Sequence, residues 1–224
     1  MSETFTPRLD ILPAAQRRLW PELAATPDYF TLYGGTAIAL RLGHRHSVDF
    51  DFFASAPFEP SKLMRELPYL RGASLRQATS DTLTVSVERG DPIQLSFFGG
   101  LGLGQVAPAD IVEGPKFKVA SLIDLAGTKA AVVTQRAELR DYLDIHALLT
   151  KAGISLSEML AAASAIYGAQ FSPLISLKAI SYYEEPGLAG LPDAMRRDLT
   201  GAVGATDPRS LPPMKAIRKH GDGA

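Results

Sequence analysis

Two aspartates separated by one residue, Asp49 and Asp51, are the first candidates for chemistry in this sequence, and a glycine pair, Gly34 and Gly35, precedes them. Carboxylates at alternate positions of a strand point the same way and can hold Mg²⁺ or Mn²⁺, with other coordination positions left for phosphate oxygens and water. A glycine pair between a strand and a helix exposes backbone amides, and the helix N-terminus attracts phosphate. Together these residues predict a site for a metal-bound nucleoside triphosphate.

Three polar residues extend this predicted site. Thr36 follows the glycine pair directly and completes the phosphate cradle, while Arg45 and Ser47 lie in the turn before the aspartates. A guanidinium would neutralise phosphate charge and a hydroxyl would donate a hydrogen bond to it. Arg45 could equally be a surface residue that takes no part in the site. Taken alone, the glycine pair is as consistent with a tight turn.

The elements that must position these residues follow from the spacing of apolar side chains. A strand over 29–33 leads through the glycines into a helix over 37–42, and a second strand over 48–53 carries both aspartates on the face opposite Val48, Phe50 and Phe52. Helices are also predicted over 60–67, 119–135, 139–149, 156–167 and 174–183, and strands over 74–78, 82–88 and 93–98. Prolines beyond 183 predict an irregular C-terminal end.

Composition restricts the classes of partner and metal site. Lys plus Arg (23) nearly balances Asp plus Glu (24), so no global charge attracts nucleic acid or an anionic membrane. The absence of cysteine excludes disulfides and thiolate metal sites, which leaves oxygen or imidazole ligands. No apolar run is long enough to span a bilayer, and a cytoplasmic location without membrane contact is expected.

Several blocks of the sequence resemble one known family, the nucleotidyltransferase AbiEii/AbiGii toxin family. The resemblance is carried by LYGGTA at 32–37, HRHSVDFDFF at 44–53, and later blocks at 93–98, 120–129, 140–144 and 176–185. It implies an α+β fold: a polymerase-β-like nucleotidyltransferase core with a mixed β-sheet, followed by a helical C-terminal part. The expected domains are residues 1–150 for the core and 151–224 for the helical part with its tail.

The resemblance also implies roles for individual residues. Gly34, Gly35, Asp49 and Asp51 match the first motif of the family, and the later blocks imply catalytic roles for Lys129 and Asp144. Asp141, three residues before Asp144 and on the same helix face, is expected on the nucleotide-binding side of the site. An exposed acidic helix edge is the open alternative for Asp141.

The implied activity is transfer of a nucleotidyl group from an NTP to an acceptor, with RNA such as tRNA as the expected acceptor. The family setting implies a toxin of a toxin-antitoxin or phage-defence pair, with a cognate antitoxin protein as partner. Two alternatives remain open: a catalytically weak nucleotide-binding module of the same fold, and a nucleotidyltransferase that acts on a small molecule or a protein.

One departure from the usual metal-site pattern bears on these alternatives. Many polymerase-β-like enzymes carry a third carboxylate on a neighbouring strand, but the strand at 93–98 offers Gln94 and Ser96 on its polar face. Uncharged oxygens bind Mg²⁺ far more weakly than carboxylates. A second metal is therefore expected to be loosely held or absent, with Glu88 as a weak substitute ligand.

Overall fold

The chain divides into two compact units in a computed structural model that describes residues 3–217. Within these residues the first unit comprises 3–103 and 108–120, and the second comprises 104–107 and 121–217. The β-strands belong to the first unit and the longer C-terminal helices to the second. The domain boundary expected at residue 150 stays a prediction, and residues 218–224 of the expected tail lie outside the described residues.

Strands and α-helices alternate up to the third helix of the first unit, five strands then follow one another, and helices alone follow in the second unit. The strands are β1 (Thr4–Phe5), β2 (Thr31–Tyr33), β3 (Phe50–Phe53), β4 (Ser74–Thr79), β5 (Thr82–Glu88), β6 (Pro92–Phe98), β7 (Asp110–Val112) and β8 (Lys118–Val119). The helices are α1 (Ala14–Leu19), α2 (Gly34–Leu42), α3 (Pro60–Glu66), α4 (Leu122–Val132), α5 (Leu139–Thr150), α6 (Leu156–Tyr167), α7 (Pro173–Ile180) and α8 (Asp193–Gly204).

The strands form one mixed sheet in the order β1-β7-β8-β2-β3-β6-β5-β4. At its centre β3 runs antiparallel to β2 and parallel to β6. The core face carries buried side chains such as Leu32, Phe52 and Phe97, and Phe52 stacks on Phe97 with ring centroids 5.3 Å apart. The expected α+β architecture with a mixed sheet is confirmed.

The strand that carries Asp51 is shorter than the sequence pattern predicts. It begins at Phe50, Asp49 lies before it, and Val48 is 50% exposed instead of sharing the core face. Side chains from elsewhere bind the carbonyl groups of these two residues: Gln16 donates to Val48 at 2.8 Å, and the Thr36 hydroxyl donates to Asp49. The ladder with the neighbouring strands therefore starts only at Phe50.

The helix predicted over 119–135 is also shorter: Val119 belongs to β8, and α4 runs only from Leu122 to Val132. Ser121 caps α4 by accepting a hydrogen bond from the backbone N–H of Asp124. The Asp124 carboxylate, 1% exposed, in turn accepts from the N–H groups of Val106 and Ala107 at 2.7 and 3.0 Å. These polar contacts place the start of the helix after the strand.

The other predicted elements agree with the structure to differing degrees. The helices at 60–67, 139–149 and 156–167 and the strands at 74–78, 82–88 and 93–98 match within one residue, whereas the helix at 174–183 spans Pro173–Ile180. The predicted irregular C-terminal end contains one α-helix, α8, which lies between prolines that flank it rather than interrupt it, whereas 205–217 form no helix or strand. Among the described residues, no helix combines the length and apolar composition needed to span a bilayer.

Close packing of α4 against α6 organises the second unit. A Cβ atom at Gly127 would lie only 2.8 Å from the backbone N of Ala163, so the two helix backbones approach at this point. A side chain at position 127 would push the helices apart. This contact holds α4, which carries Lys129, against the rest of the helical unit.

Candidate active site

The junction of β2 and α2 brings the glycine pair against Asp51. Gly34 has a φ of +74°, a conformation that disfavours side chains, and a Cβ atom there would lie 2.8 Å from Asp51 Oδ2. The helix begins directly at Gly34, and backbone N–H groups in the first turn of a helix have no carbonyl partner within it. A carboxylate and a helix N-terminus therefore meet at one point, which suits a cation together with an anion.

Arg41, in the last turn of α2, binds the C-terminal end of this helix to the sheet. Its guanidinium, 9% exposed, pairs with Asp110 Oδ2 at 2.9 Å and donates to the carbonyl oxygen of Ala120 at 2.8 Å. Burial lowers the pKa of Arg41, while the Asp110 carboxylate opposes that shift. These contacts fix the helix whose first turn forms the glycine junction.

The two aspartates occupy different backbone settings. Asp51 lies within β3, half-buried, paired with Tyr33 on β2 and with Ser96 on β6. Asp49, also half-buried, lies just before the strand, and its carbonyl oxygen accepts from the Thr36 hydroxyl. Both carboxylates were expected to lie on one face of the same strand, but only Asp51 is part of β3. The backbone of Asp49 is held by the hydrogen bond from the Thr36 hydroxyl instead.

Thr36 and Ser47 connect the helix to the turn that carries Arg45. Both hydroxyl groups are buried, and the Thr36 and Ser47 oxygens lie 2.7 Å apart. Arg45 Nη1 donates to the carbonyl oxygen of His46 at 2.9 Å and reaches Ser47 Oγ at 3.5 Å. The hydroxyls expected to face a nucleotide are therefore engaged in holding the turn and Asp49 against α2.

In the second unit, Lys129 lies between two fully buried carboxylates. Its Nζ is 2.6 Å from Asp141 Oδ1 and 2.7 Å from Asp144 Oδ2, and both aspartate side chains are 0% exposed. Arg136 Nε lies 2.9 Å from Asp141 Oδ2. Burial raises the pKa of Asp141, but the charge of Lys129 and the hydrogen bonds from Arg136 and Lys129 outweigh it, so the net shift is downward.

Arg136 is the site residue that sequence reasoning missed. It lies in the loop between α4 and α5, outside any helical periodicity, and reaches Asp141 only because that loop folds back on α5. Asp141 is accordingly not on an exposed acidic edge, which was the open alternative. With Arg136 included, the buried carboxylate of Asp141 has two cationic partners.

The sequence model of the family described as "Nucleotidyl transferase AbiEii toxin, Type IV TA system" matches residues 18–211, which is most of the chain. The chain belongs to this AbiEii family. An uncharacterized protein of Aquifex aeolicus is 31% identical over 165 residues, which cover 70% of this chain and 74% of that protein.

Solved structures show the fold of this AbiEii-family chain. The nucleotidyltransferase toxin MenT4 of Mycobacterium tuberculosis has a TM-score of 0.59 at 14% identity, over 86% of this chain and 82% of that one. A candidate nucleotidyltransferase of H. pylori has a TM-score of 0.52 at 18% identity, over 85% of this chain and 90% of that one. At these identities the likeness is one of fold, and the fold is that of nucleotidyltransferases.

The residues of the first unit of this AbiEii-family chain fit one hard divalent cation. Asp51 offers carboxylate oxygens, the ligands that Mg²⁺ prefers, beside Gly34, and Asp49 offers another carboxylate two residues earlier in the chain. The position paired with Asp51 on β6 is Ser96, whose hydroxyl accepts from Thr84 at 3.5 Å. In residues 3–217 no group of three Asp, Glu or His side chains forms a metal site.

Glu88 lies at the wrong end of β5 to complete this site. It is paired with Pro92, whereas Ser96 is paired with Thr84 four residues further back along β5. Four residues of extended strand span about 13 Å. Glu88 is therefore too far from Asp51 to share a metal with it in this arrangement.

The predicted site residues fall into two groups, one in each compact unit. The first unit holds Gly34, Gly35, Thr36, Arg45, Ser47, Asp49 and Asp51, and the second holds Lys129, Asp141 and Asp144.

Proposed function

We propose that this AbiEii-family protein transfers a nucleotidyl group from an NTP to RNA, with tRNA as the expected class of acceptor. The observation that carries the proposal is the contact between Gly34 and Asp51, which joins a helix N-terminus and a carboxylate at one point. A helix N-terminus binds phosphate, and a carboxylate binds the cation that accompanies the phosphate. A solvated acidic surface would not require glycine beside it.

In the proposed reaction, an acceptor hydroxyl oxygen bonds to the α-phosphorus, and the bond from that phosphorus to the oxygen bridging the β-phosphate breaks. Pyrophosphate leaves, and the hydroxyl proton passes to solvent. Asp49 and Asp51 would hold Mg²⁺ or Mn²⁺, and the cation would neutralise charge on the phosphate oxygens. The backbone N–H groups after Gly34 and Gly35 orient the triphosphate.

The remaining polar residues have indirect and direct roles in this proposal. Thr36 and Ser47 keep Asp49 in place through their mutual hydrogen bond, and Arg45 adds positive charge beside them. The family resemblance supports a phosphate-binding role for Lys129 and an orienting role for Asp144 toward nucleotide or acceptor.

Asp141 contributes to nucleotide binding through the Lys129 ammonium that it holds. The described contacts of Lys129 with Asp141 and Asp144 use two of its three N–H donors.

The cellular role proposed for this activity is that of a toxin restrained by a cognate antitoxin protein, in a toxin-antitoxin or phage-defence pair. The family description supports it. Expression of the wild-type protein is then expected to slow bacterial growth, while an Asp51→Asn variant does not. Equal growth of the two strains would reject the toxin role. It would not decide whether the protein transfers nucleotides, which the binding and transfer measurements test separately.

The decisive experiment combines calorimetry with transfer of labelled nucleotide. Asp49→Asn and Asp51→Asn remove a metal-binding charge with little change in shape, and Asp91→Asn, at an exposed turn between β5 and β6, is the matched control. Mg²⁺-dependent NTP binding is expected in the wild type and the control but not in the two site variants. Unchanged binding in both site variants would reject the site.

A second candidate function is favoured by Ser96, which stands beside Asp51 where a third carboxylate would strengthen metal binding. A protein with this site could bind NTP and transfer nothing. Offering labelled NTP with total RNA, total protein and small-molecule fractions separates the cases. Label in RNA supports the proposal, label in protein or a small molecule reassigns the acceptor, and binding without transfer supports the nucleotide-binding module.

A further inference from the structure

Gln16 is a buried amide that lies outside the sequence motifs of the predicted site. It belongs to α1, has 4% of its surface exposed, and is flanked on the same helix by buried Ala15 and Leu19. Its side-chain nitrogen Nε2 donates a hydrogen bond to the carbonyl oxygen of Val48 at 2.8 Å. The family match begins at residue 18 and gives Gln16 no role. A polar side chain thus reaches from a packed helix to the backbone next to Asp49.

Core packing alone does not account for an amide at this position. Burying an amide costs free energy that an apolar side chain of similar length would avoid. Among residues 3–217, the Oε1 atom of Gln16 is buried and has no hydrogen-bond partner, so only one end of the amide is paired there. The bond to the Val48 carbonyl, in contrast, requires a donor. This bond is therefore the feature of Gln16 that needs an explanation.

The Val48 carbonyl belongs to the peptide group that precedes the Asp49 Cα atom. A peptide group is planar, so a hydrogen bond to its oxygen restrains the orientation of the whole group. Gln16 holds the group before Asp49, and the Thr36 hydroxyl holds the group after it by donating to the Asp49 carbonyl oxygen. The orientations of these two groups fix the bond from Cα to Cβ. Together, the two side chains set the direction in which the Asp49 carboxylate leaves the chain.

The pairing of the sheet starts too late in the chain to restrain this direction in the same way. The register of β3 begins at Phe50 with β6 and at Asp51 with β2, so Asp49 lies before both. Groups that orient a metal ligand commonly change metal affinity by a factor of ten or more. We propose that Gln16 is a positioning residue that raises the affinity for the divalent cation by holding the backbone of Asp49. This inference rests on the proposed function, which makes Asp49 a metal ligand.

Gln16→Met tests this role because methionine keeps the length of the side chain and cannot donate a hydrogen bond to Val48. Of ATP, GTP, CTP and UTP, the nucleotide that the wild type binds most tightly is titrated by calorimetry at a series of Mg²⁺ concentrations. The Mg²⁺ concentration for half-maximal nucleotide binding is expected to rise about tenfold in the variant. At saturating Mg²⁺ the nucleotide affinity should return to that of the wild type, because only metal binding is weakened.

Amide hydrogen exchange gives a second readout that involves neither nucleotide nor activity. The Asp49 N–H belongs to the same peptide group as the Val48 carbonyl. Without the bond from Gln16 this group is less restrained, so the Asp49 N–H should exchange faster in Gln16→Met than in the wild type. Thr36→Val removes the bond on the other side of Asp49 and should raise the Mg²⁺ requirement as well.

The matched control removes a different buried hydrogen bond of the first unit. The hydroxyl oxygens of Thr26 and Tyr69 lie 2.8 Å apart, and Thr26 is buried like Gln16. Thr26→Val may lower the melting temperature, but it should leave both the Mg²⁺ requirement and the exchange of the Asp49 N–H unchanged. If Gln16→Met does not fold, Gln16→Asn decides by the same measurements, since its amide is one methylene too short to reach Val48.

The outcomes separate this inference from the proposed function. A wild type without Mg²⁺-dependent nucleotide binding would reject the proposed function, and the inference with it. If the wild type binds, an unchanged Mg²⁺ requirement or an unchanged exchange rate of Asp49 in the Gln16 variants would reject the inference alone. A lower melting temperature with an unchanged Mg²⁺ requirement would make Gln16 a purely structural residue.

Discussion

Removal of the Lys129 ammonium tests how the second unit holds its buried charges. Lys129→Met keeps an unbranched apolar stem and a good helix former, so the helix itself is little affected. It deletes the cation that lies 2.6 and 2.7 Å from the carboxylates of Asp141 and Asp144, both 0% exposed. From the sequence alone we would expect methionine to leave stability unchanged, since the ammonium was assigned to phosphate. The observed ion pairs predict the opposite.

The size of the effect follows from the burial of these carboxylates. Removing one partner of a buried ion pair destabilises a protein by about 3–5 kcal/mol, because a buried charge loses its compensation. For a chain of this size, about 2–4 °C is lost per kcal/mol, so the melting temperature should fall by roughly 6–20 °C. Arg136 still pairs with Asp141 at 2.9 Å, which favours the lower part of this range.

The pH dependence of the loss identifies its cause. The pKa of Asp141 is lowered in the wild type, so its contribution to stability is present above the unfolded pKa of about 3.9 and is lost as the pH falls through the lower folded value. In Lys129→Met, burial without the Lys129 cation raises the pKa of Asp141 relative to the wild type, so acid protonates this carboxylate more readily. The difference in stability between the two proteins should therefore narrow as the pH falls from 7 to 5.

Urea unfolding and calorimetry at pH 7 and pH 5 measure both effects. The matched control adds Asp141→Asn and Asp144→Asn to Lys129→Met, which removes the uncompensated charges and should recover part of the loss. A Lys129→Met protein within about 1 kcal/mol of the wild type at pH 7, against the several expected for a broken buried pair, would refute the reasoning. A loss that is the same at both pH values would also refute it.

Two further substitutions test the backbone of the site and the start of α4. Gly34→Ala should lower the free energy of unfolding by about 1–2 kcal/mol, because an alanine is strained in the left-handed backbone conformation of Gly34. It should also abolish NTP binding, because its Cβ atom would meet Asp51. The control is Gly72→Ala, at a glycine with a similar φ of +75° and nothing within 4 Å, which should lose the same stability and leave NTP binding in calorimetry intact. Asp124→Ala leaves the backbone N–H groups of Val106 and Ala107 without their acceptor and should cost about 2–6 kcal/mol in urea unfolding, with Asp124→Asn losing less. Equal stability of both variants to the wild type would contradict the role of the Asp124 carboxylate as acceptor of these two hydrogen bonds.

The central elements of the fold were predictable because their signals are local. The alternation of Leu83, Val85 and Val87 matches β5, and α6 begins and ends where its apolar spacing and its capping serine place it. Short strands such as β1 and β7 contain two or three residues, too few for any alternation. They exist because they pair with each other across distant parts of the chain.

Helix α8 was not predicted from the sequence for a related reason, since prolines near the C-terminus indicate breaks in helical structure. Proline stops a helix only when it lies inside one, and it is well tolerated at the first turn. Pro192 stands just before α8 and Leu199 is fully buried within it. Whether a proline flanks or interrupts a helix depends on where the helix finds a surface to pack against.

The sequence by itself determined which residue types carry the chemistry: Gly34 at the end of a strand, two aspartates one residue apart, and a lysine and an aspartate on later helices. Those identities follow from local spacing and from the family resemblance. Only the tertiary structure decided the partners of these groups. It brought Gly34 against Asp51, turned the Thr36 hydroxyl toward the Asp49 backbone, and paired Lys129 with buried carboxylates. Hydrogen bonds and ion pairs between residues far apart in sequence depend on three-dimensional proximity, which no local pattern encodes.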